Sequence, residues 1–354
     1  MNILFLAEFS KQKNGYTIVG ENLCHQLARH EGVKVDTLYA DDYRSIVPKR
    51  TSLKSPLFQR FGYLAIIFDF FLIAWVTRRQ KYDLIHCNLE HYAPVAMLLG
   101  LLWRIPFTVT AHGTYSVVLP SKSRLFSMAF KKAACVIAVS SYTRQRINEN
   151  GLDTKCRVIT NGVDLSLFRP DHNIVKEDIV LFVGNAKQRK GFSFLYEALR
   201  IVTNQGGRFK LVVVSEFGET HRDICSNAAE DAIVIEFTGK LSDRELVDYY
   251  RRAKINVLPS FSAIDNFEGF GLIHVEAISC GTLTVGCKNS GNVDAIQPGN
   301  GYLLDYGNTN ELARVILRLL TTSVPSDLVP QGIIPRDWTV VANDYLEVFE
   351  STID

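Results

Sequence analysis

Glu268-Gly-Phe-Gly-Leu-Ile-His-Val-Glu276 is the stretch on which the reading of the fold turns: two carboxylates, with seven residues between them, frame a Gly-Phe-Gly turn that opens an apolar run. Upstream, Ile255-Asn-Val-Leu-Pro-Ser260 has the length and apolar content of a short buried strand. Downstream, Leu272 to Ser279 reads as a helix stopped by Gly281. The motif therefore falls on a junction from strand through loop to helix, where free backbone N–H groups and the positive end of the helix dipole suit a phosphate. A carboxylate beside a phosphate is repelled, so Glu268 and Glu276 are expected to accept hydrogen bonds from hydroxyls. A nucleotide sugar, anionic in the middle and rich in hydroxyls at both ends, has that chemistry. The competing reading is an acidic helix start plus a solvated Glu. Glu276, however, stands among Val275, Ala277 and Ile278, and a carboxylate in an apolar row needs a partner.

Working outward, the rest of the chain alternates strands and helices. Asn2 to Ala7, Val33 to Leu38, Tyr82 to Cys87, Phe107 to His112, Cys135 to Val139 and Cys156 to Thr160 read as strands with helices between them. The pattern restarts at Ile179-Val-Leu-Phe-Val-Gly184 and runs through Lys210 to Val214, Val234 to Phe237 and the opening motif. Such alternation on both sides of a linker predicts an α/β chain of two doubly wound parallel-sheet domains. The boundaries are expected at 1–169 and 170–335, with a final amphipathic helix in 336–354. His112 ends a strand on the side where open α/β sheets bind ligands, although a lone His is commonly a structural residue.

A chain of 354 residues suits two cores, and its 47% hydrophobic content is that of a folded protein. The net charge of +2 argues against a general nucleic-acid binder. Its distribution is uneven: residues 1–165 carry 21 Lys and Arg against 12 Asp and Glu, which leaves the remainder acidic. The basic half is expected to face something anionic. Seven cysteines without a paired CxxC spacing read as reduced thiols in a cytoplasmic protein. The N-terminal residues read as a first strand and not as a signal segment. Tyr63 to Val76 is the most apolar run, but Asp69 interrupts it and it is shorter than the roughly 20 residues a spanning helix needs. Following the basic residues Arg44, Lys49, Arg50, Lys54 and Arg60, it reads either as a peripheral contact with an anionic membrane or as a helix buried on all sides.

The segment from Glu268 to Ile296 resembles the donor-site signature of the large family of retaining nucleotide-sugar glycosyltransferases, the group 1 glycosyl transferases, with the two-Rossmann GT-B fold. Val136 to Ser141, Val158 to Asp164 with Phe168-Arg-Pro170, and Val183-Gly184 with Arg189-Lys-Gly191 agree with it in order and spacing. The resemblance implies two Rossmann-like domains with a cleft between them, an acceptor-binding first domain, a donor-binding second, and a last helix that returns to the first. It implies that Glu276 accepts from ribose hydroxyls and Glu268 from the transferred sugar. Backbone around Gly269, Phe270, Gly271 and Leu272 would meet phosphate, as would Lys190, and His112 would lie beside the sugar. Gly15 stands where a Gly-Gly pair is common, and Asn185 where many members carry Arg. The missing cation is then expected from Arg189, from Lys187 or not at all, with Arg189 preferred since guanidinium binds phosphate bidentately.

No HExxH or Asp-x-Asp element is present, so the leaving diphosphate is expected to be neutralised by side-chain cations and N–H groups without a metal or other cofactor. The expected function is retaining transfer from a nucleoside-diphosphate sugar, a UDP-sugar ahead of a GDP-sugar, to a glycan or lipid-linked acceptor in cell-surface polysaccharide synthesis. The protein would work in the cytoplasm or at the inner face of its membrane. A nucleotide-sugar epimerase and a non-catalytic sugar-nucleotide-binding module are the rivals. A dinucleotide-dependent oxidoreductase is weaker, since no G-x-G-x-x-G follows either first strand.

Overall fold

A computed structural model describes residues 1–7, 15–37, 63–185, 187–216, 218, 228–263, 265–321 and 335–353. The chain divides into two units, one of Met1–Asn161 with Trp338–Asp354 and the other of Gly162–Asp337. The first crossing thus comes ahead of the expected 169/170 boundary, and the final helix is counted with the first unit.

Unit 1 begins with β1 (Asn2–Leu6), α1 (Gly15–Leu27), β2 (Lys34–Thr37), α2 (Tyr63–Thr77), β3 (Leu84–Cys87) and α3 (Ala93–Trp103). It continues with β4 (Phe107–Ala111), α4 (Thr114–Lys122), α5 (Arg124–Lys132), β5 (Cys135–Ala138), α6 (Ser141–Glu149) and β6 (Cys156–Val158). The six strands form one sheet in the order β2-β1-β3-β4-β5-β6, all parallel. Strands buried on both faces need no polar alternation, and β3 and β5 are largely apolar, while β4 alternates through Thr108 and Thr110, which are buried and bonded to His86. Ser140 caps α6 by accepting from the Thr143 N–H at 2.9 Å.

Unit 2 contains β7 (Glu177–Val183), α7 (Phe192–Asn204), β8 (Lys210–Val214), β9 (Val234–Phe237), α8 (Asp243–Arg252) and β10 (Ala253–Val257). Then follow α9 (Leu272–Ser279), β11 (Leu283–Cys287), α10 (Asn292–Ala295), β12 (Gly301–Leu304) and α11 (Thr309–Thr321). Its sheet runs β12-β11-β10-β7-β8-β9, again all parallel. The direction of winding reverses between β7 and β10, and ligands of open α/β sheets lie at the carboxyl ends of such a pair. Ser242 and Glu245 form a reciprocal capping box that starts α8.

The chain ends in α12 (Trp338–Ile353), which packs on α1. Its Tyr345 hydroxyl lies 3.1 Å from Thr110 Oγ1, and the ring of the buried His86 packs against Tyr345 and Phe349. His86 is itself held by Thr108 Oγ1 on Nδ1 at 2.9 Å and by Thr110 Oγ1 on Nε2 at 3.2 Å. Three elements, α4, α10 and β12, have no counterpart in the sequence reading. The basic segment from Arg44 to Arg60 and the loop before Gly15 lie outside the described residues, as does Cys225. The other six cysteines are free thiols.

α2 is not buried on all sides. Ile66, Asp69, Ile73 and Thr77 face inward, while Ile67, Phe68, Phe71 and Trp75 are exposed, Phe71 at 65% and Trp75 at 64%. Leu101 and Leu102, at the end of the adjoining α3, are exposed as well. Among the described residues no helix is long and apolar enough to cross a membrane.

Candidate active site

In unit 2 the switch point is built from two loops. One leaves β7 through Gly184 and closes in a tight turn, Gln188–Lys190, before α7. The other leaves β10 and carries Ser260 and Glu268 toward α9. The Phe261 N–H donates to the Arg189 carbonyl at 2.9 Å, which ties the loops together. Gly191 makes the approach possible: its φ is +74°, and a Cβ there would stand 2.2 Å from the Pro259 carbonyl oxygen. Gly191→Ala is accordingly expected to destabilise unit 2 by about 1–3 kcal/mol, the scale of one strained backbone position. Urea unfolding checks this; an unchanged midpoint would contradict it.

Glu268 gathers the site. Its Oε2 accepts from Arg189 Nη1 at 2.6 Å, Lys190 Nζ at 2.5 Å and Ser260 Oγ at 3.4 Å. All three donors use one oxygen, which leaves Oε1 without a partner among the described residues. Burial pushes the Glu268 carboxyl up, but Lys190 and Arg189 together outweigh it and hold the group well below the usual carboxylate range. Burial lowers the Lys190 ammonium, and Glu268 opposes that shift. Two cations against one carboxylate leave the cluster with a surplus positive charge, so an incoming phosphate is attracted although Glu268 is there. The carboxylate thus lies directly against the two cations, as their internal partner.

On either side of Glu268, the buried Phe267 and Phe270 anchor the turn into α9. Gly271 at φ +88° begins the helix, with no side chain capping it. The His274 N–H donates to the Gly271 carbonyl at 3.0 Å, and the Leu272 and Ile273 N–H groups are open to an external acceptor. One turn on, His274 is buried and joins α9 to β11 through Thr284 Oγ1 at 2.6 Å. Glu276 lies farther along the same helix. Its Oε2 accepts from the Tyr250 hydroxyl at 2.9 Å, and burial pushes its carboxyl up to about 7.

In unit 1, His112 follows β4. Its backbone N–H donates to Glu90 Oε1 at 2.7 Å, and Nε2 lies 2.6 Å from the Asn88 carbonyl oxygen. A carbonyl can only accept, so Nε2 carries the proton and Nδ1 is an acceptor. Burial lowers the His112 imidazole to about 4, with the Asn88 bond opposing. It is neutral at pH 7 and cannot donate a proton from Nδ1.

The structure thus joins Arg189, Lys190 and Glu268 in one cluster and sets Gly269, Phe270, Gly271 and Leu272 at the helix start beside it. It does not gather Asn185, which is exposed and whose Oδ1 accepts from the Lys187 N–H at 3.4 Å. Gly15 is the exposed first residue of α1. The sequence reading did not single out Asn88, Glu90, Ser260 or Tyr250, which hold the named residues in place. Asn88 and Glu90 follow β3, which pairs with β1 where the winding of the first sheet reverses, and that position is the signal for them. Among the described residues no group of three or more His, Cys, Asp or Glu side chains could hold a metal ion.

Comparison with known proteins agrees with this architecture. The model for "Glycosyl transferases group 1" matches residues 166–328, and that for "Glycosyltransferase Family 4" matches residues 13–167. An uncharacterised glycosyltransferase of Methanocaldococcus jannaschii is 25% identical over 332 residues, covering 90% of this chain and 88% of that protein. A sucrose-phosphate synthase of Thermosynechococcus elongatus superposes with a TM-score of 0.79 at 21% identity, covering 99% of this chain and 98% of the other. HepE of Anabaena, in complex with UDP-glucose, gives 0.73 at 20% identity, covering 99% and 100%. Two wholly parallel Rossmann-like sheets with these neighbours define the GT-B fold. The chain belongs to the group 1 glycosyl transferases.

Proposed function

We propose that this glycosyltransferase moves a sugar, with retention at the anomeric carbon and without a metal, from a nucleoside-diphosphate sugar to a hydroxyl of a glycan or lipid-linked acceptor. The observation that carries the reading is the meeting of Arg189, Lys190 and Glu268 at the β7/β10 switch point beside the open start of α9. Arg189 and Lys190 take the diphosphate, together with N–H groups around Phe270, Gly271 and Leu272. As the sugar leaves, charge grows on the departing phosphate, and preorganised donors lower the energy of that charge. Glu268 Oε1 accepts from hydroxyls of the transferred sugar, and Glu276 Oε1 from the ribose. His112 accepts a sugar hydroxyl on Nδ1 and takes no part as an acid. The departing phosphate helps deprotonate the acceptor on the same face, which retains configuration without a carboxylate nucleophile.

HepE's complex with UDP-glucose supports a UDP-sugar donor. A thermal-shift panel of UDP-, GDP- and ADP-sugars tests this, since a ligand bound only by the folded state raises Tm with affinity. No shift with any of them would overturn the donor reading, and sugar epimerised without an acceptor would favour an epimerase.

The acceptor reading draws on the exposed face of Ile67, Phe68, Phe71 and Trp75 with Leu101 and Leu102. Arg78 stacks over the Trp75 ring at 4.8 Å, and Arg78, Arg79 and Lys81 are exposed just beyond it. Apolar side chains bordered by cations suit peripheral contact with an anionic membrane, at its cytoplasmic face, where a lipid-linked acceptor would lie. Sedimentation with phosphatidylglycerol vesicles is expected at low salt, weakening as salt rises and in a Phe71→Ser/Trp75→Ser variant. Protein that stays in the supernatant at low salt would refute it.

A further inference from the structure

The proposed donor reading gives Glu276 a ligand, and one buried side chain decides how that ligand is met. Tyr250 is fully buried in α8, with its ring 6.2 Å from that of Phe168. Its backbone is fixed too: the carbonyl accepts from Lys176 Nζ at 3.3 Å and from Thr282 Oγ1, and Lys176 Nζ also donates to Thr282 Oγ1 at 2.5 Å. Tyr250 is therefore held at both ends, and its hydroxyl points at one atom, Oε2 of Glu276. Oε1 has no partner among the described residues, and Glu276 as a whole is 8% exposed.

We propose that Tyr250 is a positioning residue that sets the ribose specificity of the donor site: by occupying Oε2 it fixes the rotation of the Glu276 carboxylate and presents Oε1 to the ribose hydroxyls. A carboxylate free to rotate would accept the same hydroxyls only after losing that freedom on binding. One already held loses less, so the discrimination between ribose and a sugar lacking those hydroxyls is sharper. The hydroxyl also donates to the charged form, which favours ionised Glu276. The other titratable groups around Glu276 are Asp243 at the start of α8 and Cys280 beyond α9, with Lys176 and Arg251 acting on Cys280. Tyr250→Phe leaves each of them in place.

The test uses the full chain and whichever of UDP, GDP or ADP gives the wild type its largest thermal shift, together with the 2′,3′-dideoxy counterpart. Wild-type protein is expected to favour the ribonucleotide by about 10–100-fold, the scale of hydrogen bonds to a charged group. In Tyr250→Phe that ratio should fall at least about fivefold, and the pH midpoint of ribonucleotide binding should move upward. An equal loss of affinity for both nucleotides with an unmoved midpoint marks a packing role and overturns the proposal, as does an unchanged ratio. Tyr250→Met removes the hydroxyl with different packing and carries the same readouts if the Phe variant does not fold. Glu276→Ala separates the two readings. If it binds the ribonucleotide normally, the role given to Glu276 fails; if it does not, while Tyr250→Phe keeps the ratio, only the positioning role fails.

Discussion

Glu276→Ala is expected to abolish detectable donor binding while leaving unit 2 folded. The carboxylate is the proposed acceptor for the ribose hydroxyls, and no other carboxylate is joined to Tyr250 at that place on α9. The fold should persist because burial disfavours the charge: with its carboxyl raised to about 7, Glu276 carries a cost in the empty protein. A folded-state value above the unfolded one adds stability at low pH that is lost as pH rises through about 7. Removing Glu276 should flatten that decline, visible in melts between pH 5 and pH 8. Donor affinity in the wild type should move the opposite way, rising with pH through the same window, because only the ionised carboxylate accepts two hydroxyls. A Glu276→Ala variant that binds the parent nucleotide normally would falsify the assignment.

Lys190→Ala and Arg189→Ala should each slow sugar transfer by about 10²-fold or more, the scale of removing one preorganised charge-stabilising group. Most of the loss should appear in kcat, since charge on the leaving phosphate grows in the transition state. Both side chains also pair with Glu268, so each variant's melt needs to be recorded beside its rate. Arg189→Lys gives a further control: it keeps the charge but removes the planar fork. Full activity in Lys190→Ala would sink the cationic part of the mechanism. Activity lost in EDTA and restored by magnesium would sink the metal-free part.

Much of the fold was legible because fully buried parallel strands are apolar runs bounded by turn residues, as in Ile179 to Val183. β12 escaped because Gly301-Tyr-Leu-Leu304 is a short strand at the sheet edge, preceded by Pro298-Gly-Asn300, whose strand character comes from pairing with β11. α4 escaped because Thr114-Tyr-Ser-Val-Val contains β-branched residues and Pro120 lies inside the helix. Within the candidate site, Arg189, Lys190 and Glu268 could be named because each sits at the end of a recognisable element. Their arrangement could not: nothing local tells that Arg189 and Lys190 donate to one oxygen of Glu268, 78 positions beyond Lys190. Tyr250 was hidden for a related reason. In the helix pattern it is one more apolar position, and its hydroxyl acquires meaning only when α9 packs against α8.

Because α12 supplies Tyr345 and Phe349 to the sheet of unit 1, that unit is assembled from segments on either side of unit 2 in the sequence, and α12 is synthesised after unit 2. The whole of unit 2 is made in between, which at about 5–20 residues per second is a wait of roughly 10–35 s. For that time the faces of His86 and Thr110 that α12 covers in the finished protein stay open, so unit 2, though second in sequence, can be the first to close its core. A released chain truncated before residue 338 should therefore resist protease in β7, β8, β10 and β11 of unit 2 while residues 1–161 are still cut.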